Sequence, residues 1–68
     1  MDDGIQALVD EALDNATDNG YDMFDLPEVV AVDMATFDSD IETLVEEEFD
    51  GDECELVPYI EDWQVRHG

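Results

Sequence analysis

Apolar residues recur along the first third of the chain at a helical interval. Ile5, Leu8, Val9, Ala12, Leu13 and Ala16 fall at i, i+3, i+4, i+7, i+8 and i+11, the spacing of one face of an amphipathic helix. Asp2 or Asp3 supplies the cap and suits the positive end of the helix dipole. Asp10, Glu11 and Asp14 lie on the opposite face, and Asn19-Gly20 marks the stop. A second run follows. Leu26, Val30, Met34, Phe37, Ile41 and Leu44 step by four, four, three, four and three. Asp25 with Glu28 reads as a capping box, with Pro27 in the first turn and Phe24 as a hydrophobic staple. Ser39 with Glu42 reads as a second box, which predicts a break near Asp38. Asp50-Gly51-Asp52 is a turn. Beyond it Leu56, Val57, Tyr59, Ile60 and Trp63 form a third apolar cluster, in which Pro58 is compatible with a helix starting near Val57.

This pattern predicts a single domain over residues 1–68, an all-α bundle of three to four helices. The alternative is an α+β fold, with short strands near the β-branched Val29–Val32 and near Leu56–Ile60. Regular apolar spacing and a hydrophobic content of 44% argue against a disordered chain, although high charge with a mean hydropathy of −0.33 fits one. Phe24, Met34, Phe37, Phe49 and Trp63 are a generous apolar set for 68 residues, which makes a homodimer one expectation.

Charge changes the picture more than any motif does. The chain has 22 Asp+Glu against one Lys+Arg, Arg66, for a formal net charge of −21. Such an excess keeps a protein soluble but pushes its compact state apart. A domain of this size has only a few kcal/mol to spare, so a benefit outside the fold is expected to offset the repulsion. The densest run is Glu46 to Glu55, "EEEFDGDECE".

Chemistry beyond charge is sparse. Acids are so frequent that any pair of carboxylates arises by chance, and His67 is the one histidine, so no catalytic constellation is expected. "DSDIE" at 38–42 spaces acids as a calcium loop does, but Thr43 and Phe49 stand where Gly and Glu are required. No cofactor and no specific metal cage are expected. Cys54, the one cysteine, can form no disulfide within the chain and reads as a buried or half-buried thiol. Tyr59 and Trp63 read as core, since phosphate repulsion opposes direct nucleic-acid binding. The N-terminus has neither the basic nor the long apolar part of a signal peptide, no apolar run approaches about 20 residues, and an anionic membrane would repel the chain. A cytoplasmic protein is expected.

The stretch "FDSDIETLVEEEFD" resembles acyl carrier proteins, whose prosthetic group is carried on a Ser opening an acidic helix. The resemblance implies Ser39 as the modified residue. The carrier motif is broken, however, with Thr36 and Asp40 at its Gly and Leu positions.

In size, charge and near-absence of Lys and Arg, the whole chain resembles the DNA-mimic proteins of phages and mobile elements, of the anti-restriction and anti-CRISPR type. By charge, 22 carboxylates match about 11 base pairs of duplex, and carboxylates four apart on a helix lie about 6 Å apart along it. The resemblance implies an inhibitor without catalytic activity. Its partner would be a basic DNA-binding protein, such as a nuclease, a CRISPR effector complex or a repair enzyme. Glu46, Glu47, Glu48, Asp50, Asp52, Glu53 and Glu55 are the first candidates for the partner-binding surface, followed by Asp10, Glu11, Asp14, Asp18 and Asp22. The charge also fits an acidic adaptor or antitoxin that neutralises a basic protein, and it fits solvation in high salt.

Overall fold

Asp2 opens the first helix by accepting hydrogen bonds from the Gly4 and Ile5 amides at 2.9 and 3.1 Å. The computed structural model describes residues 2–68. The helices are α1 (Asp3–Asp18), α2 (Pro27–Phe37), α3 (Ser39–Glu48) and α4 (Val57–His67), with a 3₁₀ turn, Glu53–Leu56, leading into α4. The described residues contain no strand, so the all-α expectation holds and the α+β alternative does not. Val29–Val32 lie within α2, and Leu56–Ile60 straddle the 3₁₀ turn and α4.

One apolar core joins all four helices. Val9, Ala12 and Leu13 of α1 meet Val30, Ala31 and Met34 of α2, Ile41, Leu44 and Val45 of α3, and Leu56, Tyr59, Ile60 and Trp63. Trp63 is 1% exposed. It packs against Phe24 on one side and His67 on the other, with ring centroids 5.0 and 4.6 Å away. Its indole Nε1 donates to Asp14 Oδ1 at 3.0 Å, which satisfies the one polar atom that the ring carries into the core. Tyr59 and Trp63 are thus core residues, as their spacing predicts.

The long row from Leu26 to Leu44 is not one helix. It breaks at Asp38, whose backbone is extended at φ −103° and ψ 112°. Asp38, not Ser39, is the cap, accepting from the Asp40 and Ile41 amides at 2.9 and 3.2 Å. Ser39 is the first helical residue. Two adjacent capping side chains compete here, and the carboxylate at the extended position is the one that reaches the free amides. The Asp25–Glu28 box is also absent. Pro27 starts α2 and leaves Leu26 at the cap position without a side-chain bond. Asp25 Oδ1 instead accepts from the Leu26 amide, one residue too early to cap the helix.

Periodicity also places too much inside. Leu8 is 51% exposed, Leu26 64% and Phe37 78%. Leu26 and Phe37 sit at the two ends of α2, where the bundle no longer covers them. Phe24 packs on Trp63 of α4 and so ties the loop before α2 to the core.

The turns follow their local chemistry. Gly20 and Gly51 have φ of +90° and +84°, a region open to glycine without strain. Asp50, at φ +53°, is a residue type that tolerates the left-handed region better than most. Pro58 falls in the first turn of α4, where its missing N–H leaves no helical bond unmade.

Candidate functional surface

The acids divide by side-chain length. Among the described residues, every carboxylate that accepts a hydrogen bond belongs to an aspartate. Asp2, Asp38 and Asp52 accept backbone amides at element starts, and Asp22 and Asp25 do so in the loop before α2. Asp10, Asp14 and Asp62 accept from side chains of α1 or α4. A one-carbon stem holds the carboxylate close to its own backbone, which suits caps and tight turns. The nine glutamates accept none of these bonds. With Asp3, Asp18, Asp33, Asp40 and Asp50, which accept none either, they are the charge that the fold leaves unused.

Arg66 explains part of the division. One of its terminal nitrogens donates to both oxygens of Asp10, at 2.7 and 2.8 Å, and its Nε donates to Asp62 Oδ2 at 2.7 Å. Gln6 Nε2 also donates to Asp10, at 2.9 Å. Burial pushes the Asp10 carboxyl upward, but the Arg66 and Gln6 hydrogen bonds and the Arg66 charge outweigh it and hold the pKa below the usual carboxylate value. Asp10 is therefore half-buried and engaged, not part of a free outer face. Asp14 is engaged as well, by Trp63, and lies 3.6 Å from His67 Nε2. His67 Nδ1 donates to the Trp63 carbonyl at 2.9 Å, so the ring is fixed beside Asp14.

The acids of the 46–55 run line more than one groove. Glu46 and Glu53 line a groove with Glu42, beside Val32, Ala35 and Val45. Glu55 lies elsewhere, in a shallow site with Phe49, Cys54 and Tyr59. Glu47, Glu48, Asp50 and Asp52 are exposed, Asp52 also accepting from the Cys54 amide. Glu11 faces Asp38 and Asp40 across α1 and α3, whereas Asp14 and Asp18 flank Trp63 and His67. Asp22 is exposed in the loop before α2. The acids thus wrap the molecule. Its longest extent is 28 Å, a length of duplex that carries about 16 phosphates.

Cys54 is exposed, contrary to the buried or half-buried thiol expected from its type. It sits in the 3₁₀ turn beside Asp52, whose negative charge raises the thiol pKa above its ordinary value. Desolvation, a hydrogen bond to Asp52, and the charges of Glu53 and Glu28 act in the same direction. Among the described residues no group of three or more His, Cys, Asp and Glu is placed to hold a metal ion, and no helix is long and apolar enough to cross a membrane.

Sequence reasoning missed a second feature. Between the C-terminal half of α1, the loop before α2 and the end of α2 runs a groove of about 360 Å³. Its signal was the pair of aromatics, Tyr21 and Phe37, one in the loop and one at the end of a helix. Comparison with known protein families, characterised proteins and solved structures finds no match to this chain.

Proposed function

We propose that this protein is a stoichiometric, non-catalytic inhibitor whose free carboxylates stand in for DNA phosphates. It would occupy the basic DNA-binding groove of a host defence or DNA-processing protein, in the manner of an anti-CRISPR or anti-restriction protein. One observation carries the reading. The single guanidinium is committed to Asp10 and Asp62, and the glutamates have no hydrogen-bonded role within the fold. The charge therefore lacks an internal use, and a cationic surface is the partner that would give it one. A folded scaffold supports the same reading, because fixed charges lose less freedom on binding than those of a flexible tail.

The test starts with capture of partners from host lysate, with washes at low and high salt. A captured protein then enters a competition between this protein and a DNA duplex. Inhibition should be one-to-one, competitive with DNA and weaker as salt rises. Replacing Glu46, Glu47, Glu48, Glu53 and Glu55 together with Gln should weaken binding and leave the fold intact. Single replacements should change little, because many screened charges share the effect. A ternary complex with undiminished DNA affinity would overturn the reading and make the protein an acidic adaptor for another surface.

A further inference from the structure

The groove between α1 and α2 has a composition that charge alone does not explain. Its floor includes the side chains of Met23 and Met34, both buried. Tyr21 and Phe37 form its walls and are 61% and 78% exposed. Asp33 and Asp38 stand at its edge. Asp33 accepts no hydrogen bond within the described residues. Asp38 uses only Oδ1 to cap α3, which leaves Oδ2 open to a donor from outside.

Two exposed aromatics beside a thioether floor make an adaptable apolar cleft, and an apolar side chain seated between them would desolvate the kind of pocket whose few contacts dominate an interface. The two carboxylates select the occupant. A second copy of this chain would bring a further −21 to the cleft, and repulsion between the copies would oppose its docking. A cationic protein surface that projects one apolar side chain next to Lys or Arg satisfies both parts. We infer that this groove is the anchor point of the interface: it takes a single apolar side chain of the basic partner, with Asp33 and Asp38 receiving the flanking cations. The inference rests on the reading of the protein as the binder of a basic surface. It adds that docking is registered by an apolar anchor and is not a purely ionic encounter.

The test needs no identified partner. Two short lysine-rich peptides of equal charge serve as probes, one with a central leucine and one with a central serine. Each is titrated into the isotope-labelled protein and followed by NMR. The leucine peptide should bind about tenfold or more tightly, the effect of burying one leucine side chain. It should shift the Met23 and Met34 methyls and the Tyr21 and Phe37 rings, and its advantage over the serine peptide should persist at high salt. In Phe37→Ser, and separately in Tyr21→Ser, the preference for leucine should fall while the serine peptide binds as before. Both substitutions are at exposed positions, so circular dichroism should show an unchanged helix content. In Glu46→Gln/Glu53→Gln both peptides should weaken alike, with the leucine preference kept. Equal affinity for the two peptides would overturn the inference while leaving ionic recognition of a basic surface standing. Leucine-dependent shifts confined to the Glu42–Glu46–Glu53 groove would also overturn it. So would self-association of the free protein that Phe37→Ser abolishes, since the occupant would then be a second copy. Failure of both peptides to bind at low salt would count against the basic-partner reading itself.

Discussion

Gln64 offers a sharp test of how the loop that carries Tyr21 and Met23 is held. Its Nε2 donates to the Met23 carbonyl at 3.0 Å and to the Asp25 carbonyl at 2.8 Å, so both amide hydrogens of one side chain on α4 secure the segment between α1 and α2. A net hydrogen bond contributes about 0.5–1.5 kcal/mol. The Asp25 bond is exposed, and water can replace it. Gln64→Ala should therefore destabilise by about 1–2 kcal/mol, which lowers the melting temperature of a domain this size by roughly 5–15 °C. Gln64→Glu is the informative partner. At neutral pH it removes both donors, points a carboxylate at two carbonyl oxygens and adds one more negative charge, so it should be less stable than Gln64→Ala. The sign with pH follows. Facing acceptors, the introduced carboxyl has a higher pKa folded than unfolded, so its penalty is complete above the folded pKa, shrinks as pH falls through it and is gone only below the unfolded pKa. Once protonated, it regains one donor. Thermal melts at neutral pH and near pH 4 measure the difference. If Gln64→Glu and Gln64→Ala melt together at neutral pH, or if their gap does not narrow in mild acid, the Gln64 amide does not hold the loop in this way.

Arg66→Gln should lower the melting temperature at low salt, and the difference from the natural protein should shrink in high salt, which screens exposed charge. It should also shrink in acid. The Asp10 carboxyl has a folded pKa below its unfolded value, so its contribution is complete above the unfolded pKa and lost as pH falls through the folded one. Alkylation of Cys54 should show a pH midpoint above that of a free cysteine, and Asp52→Asn should shift the midpoint down, because Asp52 is the largest cause of the raised thiol pKa. Incubation with a phosphopantetheinyl transferase and coenzyme A should leave the mass unchanged; a stoichiometric gain abolished by Ser39→Ala would establish a carrier protein instead.

The elements that were legible in the sequence are those fixed by neighbouring residues. Gly20, the Asp50–Asp52 turn, Pro58 and the break near Asp38 each follow from backbone chemistry within a few positions. The capping residue at the break was not legible, because Asp38 and Ser39 are adjacent and both types cap helices. Nor were Leu8, Leu26 and Phe37, since a period identifies a face but not whether a neighbour covers it. The Asp10–Arg66 pair lies beyond sequence reading. Its partners are 56 positions apart and meet only because α4 packs along α1. That one contact removes Asp10 from the free acids. The Trp63 indole does the same to Asp14.

The division between aspartate and glutamate bears on how such a charge is tolerated. A domain that used all its acids internally would lose stability with each one neutralised. Here the internal tasks fall to aspartates, and the glutamates are concentrated where α3 ends and α4 is approached through the 3₁₀ turn. Neutralising Asp2, Asp38 or Asp52 removes a carboxylate that receives backbone amides, and loss of such a cap costs about 0.5–2 kcal/mol. Neutralising Glu46, Glu47 or Glu55 removes only repulsion. The glutamates thus carry surface charge without a task in the fold, whereas aspartates such as Asp38 and Asp52 carry both. The surface can be altered without dismantling the bundle, which makes the proposed function separable from stability by experiment.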